Sequence, residues 1–134
     1  MSQDSAASDP VDFKSTAVFR LLEKAMQEDD KGLAVTLKGI YCFKVKNEDG
    51  KDGIWILDMR DGKGKVKFNG KEKPDVTLVM KDADVVELMM GKLNPQKAFF
   101  QGKVKINGNM GLAMKLSVLQ EQASKKMEEL KAKL

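Results

Sequence analysis

The sequence predicts an α+β fold in which about five helices cover one face of a single, mostly antiparallel sheet of five strands. Several short segments alternate apolar and polar residues, which is typical of strands with one buried face. Segments at both ends of the chain instead space apolar residues three and four positions apart, as amphipathic helices do. Turn residues separate these segments, and 134 residues fit one domain.

The first helix is predicted from Phe13 to Glu28, with Asp12 or Ser15 as its N-cap. A long strand from Leu33 to Lys46 follows and bends at Gly39. The residues on its apolar face are Leu33, Val35, Leu37, Tyr41, Phe43 and Val45.

Three shorter strands complete what the spacing predicts as an antiparallel meander. They run from Ile54 to Arg60, through Val66 and Phe68, and from Val76 to Met80. Asp61 to Gly64 forms the turn between the first two of these, and its GKG is a hairpin rather than a phosphate site. The core-facing residues are Trp55, Leu57, Met59, Val76, Leu78 and Met80.

The last third of the chain is predicted to be mainly helical. Asp82 or Asp84 caps a helix that carries Val85, Leu88 and Met89. Asn94 starts a shorter helix that ends at Gly102, and the fifth strand runs from Lys103 to Asn107. Asn109 then opens one continuous helix, whose apolar stripe is Leu112, Leu116, Leu119, Ala123, Met127 and Leu130.

These elements suggest three parts: a flexible acidic tail at 1–12, a globular domain at 13–120 and a helical extension at 121–134. No apolar run reaches the ~20 residues of a membrane span, and the N-terminus does not resemble a secretory signal. We therefore expect a soluble intracellular protein. Its single cysteine, Cys42, is expected to be buried and inert.

The composition argues against an enzyme. The chain has no histidine, so the commonest general base and metal ligand are both missing, and one cysteine cannot form a thiolate metal cluster. The aspartates fall at turns and caps. We expect no catalytic residues, no metal and no cofactor.

The segment from Asn94 to Leu116 predicts a pocket. Phe99 and Phe100 precede Gly102, and Met110 and Met114 lie on one face of the following helix. Thioethers and aromatic rings suit an irregular apolar ligand. Adjacent helix positions point apart, so at most one of the two rings should face the centre of the sheet.

The chain resembles the sterol carrier protein 2 family of non-specific lipid-transfer proteins, most closely in AFFQGKVKINGNMGLAMKL from Ala98 to Leu116. Looser likeness extends over Gly39–Lys46, Trp55–Gly64 and Met89–Gln96, and covers residues 13 to 120 in all. The resemblance implies the same α+β architecture, with a hydrophobic tunnel between the sheet and its helices. It makes 13–120 a lipid-binding domain.

The tunnel implied by the resemblance assigns ligand contacts to ten residues. Phe43 would form its floor, and the first helix would cover it. The expected ligand-binding residues are Phe19, Leu22, Met26, Phe43, Trp55, Met89, Phe99, Phe100, Met110 and Met114.

The expected function is that of an intracellular carrier of fatty acids, fatty acyl-CoA or sterols, which it moves or presents without chemical change. The alternative is a protein-interaction module that uses the amphipathic C-terminal helix and has no lipid ligand. Ala132-Lys133-Leu134 differs by one small residue from the Ser-Lys-Leu peroxisomal address, and family members often end this way. We therefore expect a peroxisomal import receptor as a partner and a peroxisomal location with a cytosolic pool.

The lysines suggest one further partner. The chain carries a net charge of +4, and Lys97, Lys103 and Lys105 lie near the expected pocket, where they would hold the protein transiently at an anionic membrane surface. Arg20 and Arg60 are the only arginines. Nucleic acid is therefore not expected as a partner.

Overall fold

The computed structural model describes residues 12–28, 37–60 and 64–132. The predictions for residues 1–11, for 33–36, for the turn at 61–63 and for the last two residues lie outside the described part. The described elements in chain order are α1 (Ser15–Glu28), β1 (Ile40–Lys46), β2 (Asp52–Asp58), β3 (Lys65–Phe68), β4 (Val76–Lys81), α2 (Asp82–Met89), α3 (Pro95–Phe100), β5 (Val104–Gly108), α4 (Met110–Ala113) and α5 (Leu116–Ala132).

The five strands form one mixed sheet in the order β3-β2-β1-β4-β5. Three of the four pairings are antiparallel, as predicted, but β4 lies parallel to β1, with Phe43 opposite Leu78. The predicted meander of the first four strands is therefore wrong. The strongly buried β1 takes partners on both sides, whereas the short, lysine-bearing β3 forms an edge, where lysines discourage further pairing.

The first strand is shorter than predicted. It begins at Ile40, and Leu37 is helical although buried. Gly39 has a φ of +145°, and the next residue, Ile40, donates its N–H to the Asp75 carboxylate at 2.8 Å. The bend predicted at Gly39 is thus the start of the strand.

The main core lies between the helices and one face of the sheet. Phe19 of α1 stacks on Trp55 of β2 with ring centroids 4.7 Å apart and meets Phe43 of β1 edge-on at 5.3 Å. The predicted core faces are confirmed for the strand residues Tyr41, Phe43, Val45, Trp55, Leu57, Val76, Leu78 and Met80, and Met59, just after β2, is buried in the same core. In the described part of the chain, the other face buries a small apolar cluster of Ile40, Cys42 and Ile56.

The N-terminus of α1 is held from across the fold. The buried Asp82 carboxylate accepts hydrogen bonds from the backbone N–H groups of Lys14 at 2.6 Å and Ser15 at 2.9 Å. The predicted local caps are therefore wrong: the Ser15 hydroxyl has no partner in the described part, and Asp12 pairs with Lys51. Asp82 was also expected to cap its own helix, but α2 begins without a side-chain cap.

The predicted last helix is two helices. A tight turn at Met114 and Lys115 separates α4 from α5, with the Lys115 N–H donating to the Leu112 carbonyl. The buried Tyr41 hydroxyl donates to the same carbonyl at 3.1 Å. This anchor places α4 on β4 and β5, while α5 packs on α1 and α2, so one straight helix could not reach both surfaces.

The C-terminal helix packs on the core along the predicted stripe. Leu116, Leu119 and Ala123 are buried and Met127 is half-buried, while the side chain of Leu130 lies outside the described part. The Ser124 hydroxyl donates to the Met89 carbonyl and the Gln120 amide to that of Leu93. None of the described helices is both long and apolar enough to cross a bilayer.

We predict that Asp82→Ala lowers the free energy of unfolding by about 1.5–3 kcal/mol, because two backbone N–H groups lose a charged acceptor. Urea denaturation measures the change. Asp84→Ala is the matched control, since Asp84 lies in the same first turn of α2 and no bond joins it to α1 in the described part. It should cost less than about 1 kcal/mol. Equal costs for the two variants would contradict a cap made across the fold.

Candidate functional site

An apolar groove of about 610 Å³ lies beside the edge strand β5. It is bounded by α3, α4 and the first turn and a half of α5. Four of the ten expected ligand-binding residues line it: Phe99, Phe100, Met110 and Met114. The other lining residues are Asn94, Pro95, Gln96, Val104, Ile106, Ala113, Leu116, Ser117 and Gln120.

The first wall is α3, which is held in place by hydrogen bonds at its ends more than by burial of its side chains. The Asn94 side chain accepts from the N–H groups of Gln96 and Lys97, as the predicted start requires. In this helix only Ala98 is buried. Phe99 and Phe100 are 43% and 84% exposed, with their rings 5.8 Å apart edge to face. Both rings line the groove, and neither reaches the centre of the sheet.

The second wall is α4, whose predicted N-cap is confirmed. The Asn109 side chain accepts from the Leu112 N–H, and the bond from Tyr41 to Leu112 ties the helix to the sheet. Leu112 is buried as a result. Met110 and Met114, four residues apart, share the opposite face and are 49% and 66% exposed.

Two glycines shape the strand between these walls. Gly102 and Gly108 have φ values of +76° and +106°, in the left-handed region that favours glycine. A Cβ at Gly108 would lie 2.5 Å from the Asp75 carbonyl oxygen, so only glycine allows this close approach of the chain. The Asn109 N–H donates to that same carbonyl and sets the start of α4.

The remaining six expected contacts lie in the core and do not line the groove. Each is at most 2% exposed, and the aromatic members pack on one another. The structure thus brings four of the ten together and places these six apart from them: Phe19, Leu22, Met26, Phe43, Trp55 and Met89. Their role as ligand contacts stays a prediction, as does the enclosed tunnel.

Charge is missing from the groove lining, where the described residues include no lysine, arginine, aspartate or glutamate. Two buried polar groups of β1 are held in their neutral forms, that of Tyr41 beside α4 and that of Cys42 on the other face of the sheet. Burial raises the pKa of Tyr41 to about 12, so its hydroxyl stays protonated and keeps its bond to Leu112. Burial likewise raises the pKa of the Cys42 thiol, although Lys44 and a hydrogen bond with Thr77 oppose the shift.

Sequence reasoning missed several lining residues. Val104, Ile106 and Leu116 belong to the segment that predicts the pocket but are not among the ten expected contacts, yet all three line the groove. The signal was present, because alternation along β5 places Val104 and Ile106 on one face. What the pattern did not show is that the helices beside this face leave a groove against it.

Comparison with known sequences finds relatives that match most of this chain. A model of the SCP-2 sterol transfer family matches residues 19–121. Sterol carrier protein 2 from Homo sapiens is 50% identical over 119 residues, which cover 88% of this chain and 21% of that protein. The chain therefore spans about a fifth of the length of the curated relatives that it matches first.

Solved structures show the same fold. The sterol carrier protein domain 2 of Helicoverpa armigera is 56% identical and superposes with a TM-score of 0.77, over 87% of this chain and 93% of that one. Palmitated SCP2L2 from Aedes aegypti is 26% identical, with a TM-score of 0.62 over 80% of this chain and 94% of that one. The match to most of the chain and the 50% identity show that it belongs to the SCP-2 sterol transfer family.

Proposed function

We propose that this chain is a lipid carrier that holds the apolar part of a fatty acid, fatty acyl-CoA or sterol in the groove beside β5. One observation carries the proposal. Of the five large apolar side chains that are exposed in the described part of the chain, four line this groove. An exposed apolar patch gathered into a concavity of this size is typical of a ligand site.

The free energy of such binding comes from removing apolar surface from water. Each buried methylene contributes about 0.8 kcal/mol, and the rings and thioethers of the groove lose their own contact with water at the same time. A donor membrane offers a lipid nearly the same environment. Exchange between membrane and groove therefore stays close to neutral, as a reversible carrier requires.

The ligand class follows from the lining. Because no charged residue lies in the described lining, recognition is of the apolar part, and an ionised head group stays in water. Two methionines and two phenylalanines adapt to differently shaped chains, which favours broad selectivity. The names of sterol carrier protein 2 and palmitated SCP2L2 among the relatives support sterols and fatty acids as the ligand class.

The proposed action is non-covalent: the carrier takes up, shields and releases its ligand without breaking a bond. A protein-interaction module built on the C-terminal helix is less well supported. That alternative needs an unpartnered apolar face, whereas Leu116, Leu119 and Ala123 of α5 are buried against the fold.

The cellular setting is also part of the proposal. We place the carrier in peroxisomes, with a cytosolic pool, an import receptor that reads the C-terminal tripeptide and transient contact with an anionic membrane surface. The support is the Ala132-Lys133-Leu134 ending together with the lysines beside the groove.

We predict that a fluorescent fatty-acyl probe binds saturably at about one site per chain. Phe100→Asp and Met114→Arg should each weaken it at least about tenfold, because burial of one such side chain is worth about 1.5–3 kcal/mol and the new charge must be desolvated. Probe titration measures the affinity. Both side chains are exposed, so neither substitution should disturb the fold, and circular dichroism checks this.

Val79→Arg is the matched control for these variants. Val79 is the fifth exposed large apolar residue, but it lies on the face of β4 that points away from the core. There it is in register with Lys44 and Lys105. Its substitution should leave probe affinity within about twofold. Absence of saturable binding by the unsubstituted chain would refute the carrier, and unchanged affinity in both groove variants would move the site elsewhere.

We predict that deleting Ala132 to Leu134 moves an N-terminally tagged chain from peroxisomes to cytosol, because the import receptor would lose the tripeptide that it reads. Microscopy against a peroxisomal marker gives the readout. As a control, Ser-Lys-Leu is added to the C-terminus of the truncated chain, which should return it to peroxisomes. Unaltered import of the truncated chain would reject the tripeptide as the signal.

A further inference from the structure

The positive charge of the chain is concentrated around the groove. The segment from Gly91 to Gln120 contains every lining residue and carries five of the 24 basic residues but none of the 20 acidic ones. The rest of the chain then holds 19 basic and 20 acidic residues. The net charge of +4 is therefore due to this segment alone.

Three of the five lysines surround the turn from α3 to β5, which we call the α3–β5 corner (97–105). Lys97 lies on α3, Lys103 precedes β5, and Lys105 lies on the outer face of β5 opposite Val79. All three lysines are exposed, and no carboxylate of the described part pairs with them. Their charge is directed to solvent or to a partner.

The same corner carries the most exposed phenyl ring of the described part, that of Phe100. Gly102 forms the tip, and a Cβ placed there would meet no atom within 4 Å, so the space around this glycine is open. Aromatic side chains with flanking lysines are typical of protein surfaces that lie in the interface of a bilayer.

We propose that the α3–β5 corner docks on an anionic bilayer, with Phe99 and Phe100 entering the interface and the three lysines contacting lipid head groups. This inference rests on the proposed function, since it orients the mouth of the groove towards the lipid. A ligand then passes between bilayer and groove without crossing water. The neutral lining accepts the chain while the lysines remain with the head groups.

A bilayer fits this surface better than an acidic protein does. The exposed rings continue directly into the apolar groove, so the surface offers one uninterrupted apolar path flanked by charge. The lysines are spread over a helix, a turn and a strand, which suits a continuous charged surface. Such attraction acts within about 8 Å at physiological salt and needs no fixed pair geometry.

The test compares two triple variants of the full chain with equal net charge. In one, Lys97, Lys103 and Lys105 are replaced by Gln. In the control, Gln replaces Lys24, Lys71 and Lys73, which are exposed on α1 and in the β3–β4 connection. Vesicle co-sedimentation uses phosphatidylcholine with and without 30% phosphatidylserine, and a fatty-acyl probe titrated without vesicles reports on the groove.

The corner variant should bind the anionic vesicles about 100-fold more weakly than the unsubstituted chain and bind the probe within twofold, because these lysines do not line the groove. The control variant should lose less than tenfold. A polarity-sensitive dye at Gln101→Cys, in a Cys42→Ala chain, should shift to the blue on anionic vesicles, whereas the same dye at Lys71→Cys should not.

Each other outcome overturns the proposal. Equal losses in both triple variants would show that net charge acts rather than this corner. Probe binding without any vesicle binding would leave the carrier standing and remove the docking surface. Retention on immobilised poly-glutamate that depends on the corner lysines, with no dependence on vesicles, would assign the corner to an acidic protein. Failure of the unsubstituted chain to bind the probe would count against the carrier itself, and with it against the docking surface.

Discussion

The packing of Phe19 against Trp55 and Phe43 is the contact on which the rest of the structure depends. All three side chains are fully buried, and together they fix α1 over β1 and β2. The Asp82 carboxylate holds the start of the same helix from the far end of β4. With α1 placed there, α5 and α2 fill the space beside it. Little helical surface then remains to cover the β5 edge of the sheet.

The groove results because the helices cover the sheet unevenly. Val104 and Ile106 of β5 face the same side as the core, but the elements near them are α3, with one buried residue, and the four-residue α4. These short helices hold their positions through Asn caps and the bond from Tyr41 to Leu112 rather than through wide apolar contact. Their phenylalanines and methionines therefore remain available to a ligand.

Local pattern predicted what depends on neighbours in sequence. Strand faces, the Asn94 and Asn109 caps and the pairing of Met110 with Met114 on one helical face all follow from spacing. The failures depend on distant parts of the chain: Asp82 caps α1 from 67 residues away, and β4 pairs with β1 rather than β3. Spacing also assigned α4 and α5 to one helix, because the anchor that bends them is a tyrosine 71 residues earlier.

The separation of charge from the groove explains how one segment can serve both binding and exchange. A lysine inside the groove would favour an ionised head group and slow its release, whereas lysines around the corner attract a membrane without contacting the bound chain. The alternation of β5 achieves this within three residues: Val104 and Ile106 line the groove while Lys105 between them points to the other face. Since a strand reverses its faces at every residue, recognition of the apolar ligand and attraction to the membrane can be altered independently.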